Sequence, residues 1–93
     1  MPIERLDLRT VRYDQFSGSV QIDARKSVVE ISLEALELLN NRSLTPEEAV
    51  VKAVAEAKLF TRLASRLPAD DGKIHITARI VENDGLYADE NGS

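Results

Sequence analysis

The segment SLTPEEAV, residues 43–50, constrains what this chain can fold into more tightly than any other. Thr45 is placed to cap a helix, because its hydroxyl can accept an N–H that has no partner inside the first turn. Pro46 suits the first helical position, where its fixed φ is already helical and no N–H is needed. Glu48 can return its carboxylate to the Thr45 N–H, which completes a capping box. Glu47 and Glu48 also sit at the positive end of the helix dipole. Leu44, just before the cap, is placed to pack on Ala49 or Val50. A long helix is therefore expected from Pro46 to about Leu67, with Pro68 as its stop.

At roughly 100° per residue, one arc of that helix collects Ala49, Val50, Ala53, Val54, Ala57, Phe60, Leu63, Ala64 and Leu67. This is the expected core face: its alanines permit close approach and Phe60 supplies bulk. Val51, Ala55 and Leu59 fall outside the arc and form a second, weaker apolar stripe.

The flanking segments read mainly as strands. In SVQIDA, residues 19–24, Val20, Ile22 and Ala24 alternate with Ser19, Gln21 and Asp23. The polar step Arg25–Lys26 leads into SVVEI, so the two segments are expected to form a hairpin. Upstream, RLDLRTVRY alternates imperfectly, since Leu6 and Leu8 fall on the face opposite Val11 and Tyr13. A bulged strand or an extended arm reconciles them. DQFSG then supplies a turn, with Gly18 as its flexible residue. Ser32 is the expected cap of a short helix, LEALELLNN, whose Leu33, Leu36 and Leu39 recur at helical spacing. PADDG is a turn, and KIHITARIVE alternates Ile74, Ile76, Ala78 and Ile80 with Lys73, His75, Thr77 and Arg79, which predicts a closing strand.

The order β-β-β-α-α-β describes an α+β domain: a small antiparallel sheet of three to four strands, with a short and a long helix packed on one face. The alternative is a less regular, more helical fold in which the first segment never pairs. Residues 1–83 are expected to form a single domain, and residues 84–93 an acidic, mobile tail.

With 43% apolar and 30% charged residues in 93, the chain can support one modest core. Its aromatics are Tyr13, Phe16, Phe60 and Tyr87, so aliphatic side chains must build that core. The start, MPIERLDL, is charged at once and has no apolar h-region, which points away from a signal peptide and towards the cytoplasm. No apolar run approaches the roughly 18 residues of a membrane span, so no membrane partner is expected.

Chemistry is sparse. The chain has no cysteine and one histidine, His75, so a thiolate nucleophile is excluded and a metal or general-base site lacks its usual partners. His75 reads as one rung of the last strand, with Asp23 or Glu30 as neighbours a paired strand could bring near it. Glu47 and Glu48 are explained by capping, and Asp70–Asp71–Gly72 by turn chemistry; the latter does not match a calcium loop. The glycines at 18, 72, 85 and 92 match no phosphate-cradling or nucleophile-elbow motif. Neither a catalytic residue nor a cofactor is expected.

Two features suggest binding. Lys58, Arg62 and Arg66 repeat every four residues as a cationic ridge, and Lys73 and Arg79 add charge on the last strand. Together they are candidates for anion binding. Cations near a helix C-terminus are also favourable for the helix itself, and nucleic acid is an improbable partner for a chain of net charge −4 without aromatic stacking platforms. The stripe Val51, Ala55 and Leu59 is expected to rest on the short helix, and is the candidate association surface if it is exposed.

The run VVEISLEALELL, followed by LTPEEAVVKAVAEAKLFTRLASRL and DGKIHITARIV, resembles a small bacterial family, domain-of-unknown-function family 1488. The matching motif is carried by Ile31, Ser32, Glu34, Ala35 and Leu36, and the resemblance covers about residues 19–82. It implies a compact α+β domain and brings no activity, cofactor or catalytic residue with it. The expectation is a small cytoplasmic bacterial protein that is not an enzyme. It would act through protein–protein contacts as an accessory or regulatory module, as a homodimer or with an unidentified partner. Anion or nucleic-acid binding is the alternative.

Overall fold

The computed structural model describes residues 6–84. The expected acidic tail falls, from residue 85 onward, outside the described residues. The order of elements is β1 (Asp7–Asp14), β2 (Ser19–Ala24), β3 (Ser27–Ser32), α1 (Leu33–Asn40), α2 (Pro46–Ala55), α3 (Ala57–Arg66) and β4 (Lys73–Ile76). A last helix, α4, occupies 78–84. The fold is α+β, with a four-stranded sheet in the order β1-β2-β3-β4.

The β2–β3 hairpin turns on Arg25 and Lys26, with Ala24 paired to Ser27. Arg25 takes a positive φ of 54°, a conformation that favours glycine and is strained for a longer side chain. β1 pairs antiparallel with β2, but its register jumps between Asp7 and Arg12: five steps along β1 run opposite two along β2. This irregularity resolves the mixed alternation, placing Leu6, Val11 and Tyr13 against the core while Leu8 stays exposed. Thr10 stitches the interrupted ladder. Its hydroxyl donates to the Asp7 carbonyl at 2.7 Å and accepts the Asp23 N–H at 2.9 Å.

Local start signals act as expected. The Ser32 hydroxyl accepts the Ala35 N–H at 3.1 Å. Thr45 and Glu48 form the reciprocal capping box, at 3.2 Å and 3.0 Å. Leu44 is buried in the core beside it.

Three features differ from the simple alternating pattern. The segment 46–67 is not one helix, because Glu56 (φ −102°, ψ 25°) divides it into α2 and α3. Hydrogen bonds of both helices end on Glu56, whose N–H donates to the Lys52 carbonyl and whose carbonyl accepts the Phe60 N–H. The bend contains neither proline nor glycine. It lets α2 lie on β1 and β2 while α3 lies beside β4.

The sheet is mixed rather than wholly antiparallel, because β4 runs parallel to β3, with Val29 opposite Ile74 and Ile31 opposite Ile76. Three helices separate these strands, and such a crossover returns the chain in its original direction.

The closing strand also ends at Ile76, four residues before the end of the alternating pattern at Ile80. At Thr77 the chain turns into α4: the Thr77 hydroxyl accepts the Ile80 N–H and its carbonyl accepts the Val81 N–H. Ile80 and Val81 are adjacent apolar residues, which a helix can turn jointly towards the core and a strand cannot. Asp84, expected in the tail, is the last described residue of α4.

The core lies between the sheet and its helices. Val20, Ile22, Val29, Ile31, Ile76 and Phe60 are all fully buried. Ala49 and Ala53 are also fully buried, so α2 approaches the sheet closely, as small side chains allow.

Candidate interaction surfaces

The open face of the sheet carries a row of polar side chains, one from each strand: Arg12, Gln21, Glu30 and His75 stand in register. Arg12 donates to the Gln21 amide oxygen at 3.4 Å, and Gln21 donates to Glu30 at 3.4 Å. The Glu30 carboxylate lies 3.7 Å from His75 Nδ1. Arg12 also pairs with Asp23 at 3.2 Å. His75 is thus half-exposed beside Glu30, one rung of a polar ladder. Among the described residues, no group of three or more His, Cys, Asp or Glu side chains could hold a metal ion.

The expected cationic ridge is divided. Arg62 and Arg66 both reach Asp84 on α4, at 2.8 Å and 3.2 Å. Their charge is therefore directed at the protein's own last helix. Lys73 lies on the open sheet face, and Arg79 belongs to α4, not to the strand expected to carry it. The helices cover the opposite face of the sheet from Lys73, so these five cations do not form one surface.

Lys58 instead lines a groove of about 1500 Å³ between the start of β1, the β2–β3 turn and α3. Arg9, Arg25 and Lys26 share this groove, while Ala24, Ala64 and Ile74 contribute apolar surface. Arg9 is engaged by Asp7 at 3.1 Å, and this hydrogen bond raises its pKa further above the ordinary arginine value. Arg25, Lys26 and Lys58 carry the positive potential of the groove. The hydroxyls of Thr61 and Ser65 already donate to helix carbonyls, so they add little for an anion to accept from. Arg25 and Lys26 were legible as a turn, but only the tertiary structure brings Lys58 to them.

The outer side of α2 also differs from the expected stripe. Val51 is 68% exposed and Ala55 is exposed, whereas Leu59 is half-buried against the core. Val54, expected on the core face, is 37% exposed and takes Leu59's place on the outer side. The reason is angular. Ala49, Ala53 and Phe60 define the centre of the buried side, and Val54 sits far enough from it to reach solvent. Leu38 on α1 and Phe16 at the β1–β2 turn are further exposed apolar side chains.

No helix among the described residues is long and apolar enough to cross a membrane. Comparison with family models, curated proteins and solved structures returned no match to this chain.

Proposed function

We propose that the protein is a cytoplasmic binding module without a catalytic centre, which docks on another protein surface through the outer side of α2. The observation that carries this reading is the exposure of Val51, beside Val54 and Ala55, on a helix whose buried side is already filled. Leaving large aliphatic side chains in water forgoes roughly 1.5–3 kcal/mol each that burial would supply. A contact surface recovers part of that energy. A photo-crosslinking residue at position 51 tests the reading in native extract. A discrete adduct of defined mass is expected there and not from a control at exposed Glu34 on α1. Equal, diffuse labelling at the two positions would overturn it.

The groove supports a second reading, binding of a small anion. Arg25, Lys26 and Lys58 converge there although the chain as a whole is acidic. The one acidic side chain among its lining residues, Asp7, is paired with Arg9, and such an excess of positive charge concentrates counter-ions. Pyrophosphate titrated at low and high salt tests it: heat of binding that falls with salt and vanishes in an Arg25→Glu/Lys26→Glu variant is expected. No detectable heat at low salt removes this reading.

A further inference from the structure

The outer side of α2 continues into α3 as four exposed positions: Glu47, Val51, Val54 and Lys58. Their spacing of four, three and four residues is that of a helix–helix seam. At 3.6 residues per turn they fall within roughly 60° of arc, opposite the side that buries Ala49, Ala53 and Phe60. Lys58 lies beyond the bend at Glu56, where it is exposed while Phe60 on the same helix is fully buried, so it stands on the outer side of α3.

The stripe is its own complement. When two copies are laid antiparallel about a two-fold axis midway between Val51 and Val54, each Val51 meets the other copy's Val54. Each Glu47 then meets a Lys58. The order acid, apolar, apolar, base maps onto itself under that rotation, which is the requirement for an isologous contact. Among the described residues, Glu47 and Lys58 have no ion-pair or hydrogen-bond partner from their side chains. Neighbouring charges are otherwise engaged, Glu48 with Arg42 and Lys52 with Glu56.

We infer that the occupant of this face is a second copy of the chain, held as an antiparallel dimer by the Val51–Val54 contacts and flanked by two Glu47–Lys58 pairs. The pairing presupposes that the outer side of α2 is a protein-contact surface, as proposed above, and names what covers it. One helix seam is smaller than the roughly 800 Å² per partner of a stable interface, so the dimer is weak and concentration-dependent.

Sedimentation equilibrium of the full chain, at low salt and up to about 1 mM, a concentration suited to weak association, provides the test. The variants Glu47→Lys and Lys58→Glu each replace two attractions with two repulsions, so each should weaken self-association by about tenfold or more. Mixing the two variants restores both pairs and should return a one-to-one heterodimer of wild-type affinity. Val51→Arg should abolish association. All three positions are exposed, and unchanged far-UV circular dichroism with an unchanged unfolding transition checks that each variant folds.

A wild-type chain that stays monomeric throughout overturns the self-pairing. A discrete hetero-adduct at position 51 would then still support the contact face itself. A dimer that survives Val51→Arg overturns pairing through this face. A dimer broken by Val51→Arg but indifferent to both charge reversals overturns the antiparallel arrangement.

Discussion

The two faces of the sheet are made by the same four strands and differ in nearly every physical respect. On the helix-covered face, Val20, Ile22, Val29, Ile31 and Ile76 are sealed from water, and the hydrophobic effect holds the layers together. On the open face, Arg12, Gln21, Glu30 and His75 form a chain of contacts from 3.4 to 3.7 Å long, each reachable by solvent. Glu30 and Ile31 are adjacent in β3 and belong to opposite worlds. Stability should therefore alternate along the strand with the side chains.

Changes on the covered face should cost most. Ile31→Ala removes a fully buried side chain and leaves a cavity between β2, β4 and the helices, which should cost about 2–5 kcal/mol. The shift in urea midpoint at unchanged slope measures it. A cost below about 1 kcal/mol would show that the core collapses around the loss and is less closely packed than its burial indicates. The opposite perturbation is Ala53→Leu. Ala53 is fully buried at the approach of α2 to the sheet, so added volume must push the layers apart. About 1–3 kcal/mol of destabilisation is expected, read from the same unfolding curves.

These contrasts show which parts of the fold were legible in the sequence. Signals that act within a few residues were readable: the Thr45–Glu48 capping box, the Ser32 cap, the Arg25–Lys26 hairpin and the Asp71–Gly72 turn all depend on neighbouring groups. The irregularity of β1 was only half readable: the mixed alternation of Leu6, Leu8, Val11 and Tyr13 allowed a bulged strand or an extended arm, and pairing with β2 selects the first. What escaped the sequence depends on groups far apart in the chain. The parallel direction of β4 follows from the crossover of three helices, and its short length follows from how far β3 extends beside it. The bend at Glu56 has no local breaker and follows the packing of α2 and α3 on different strands. For the same reason the spacing of the cations along the chain does not show how they group in the fold. Asp84 claims Arg62 and Arg66, and Lys58 joins Arg25 and Lys26 only once the hairpin folds beneath α3. Val54 lies about 120° from the centre of the buried side at 3.6 residues per turn, past the edge of the arc that the core covers.

On the open face, Glu30→Ala should change stability far less than its neighbour Ile31→Ala. It removes the 3.4 Å contact with Gln21 and the weak approach to His75, and a partly buried hydrogen bond of this kind is worth about 0.5–1.5 kcal/mol. Equilibrium unfolding in urea at neutral pH measures the difference. A loss comparable to that of Ile31→Ala would mean the polar row carries structural weight, and the contrast between the faces would fail.

The smallest effect concerns a solvent-exposed carboxylate that works by hydrogen bonding rather than burial. Glu48 accepts the Thr45 N–H at 3.0 Å, and this bond, helped by the Thr45 side chain and by Arg42, lowers its pKa below the ordinary glutamate value. The folded state therefore holds the Glu48 proton less tightly than the unfolded chain does. Its contribution is complete above the unfolded pKa and is lost as pH falls through the lowered folded value. In Glu48→Gln the amide keeps an acceptor for the Thr45 N–H but cannot titrate. The melting temperature of the variant should accordingly decline less on acidification through and below the usual carboxylate range, with the two curves nearly parallel above it. Curves that stay parallel throughout would mean that the capping bond exerts no pull on the Glu48 proton. The start of α2 would then owe its position to Thr45, Pro46 and the burial of Leu44 and Ala49 alone.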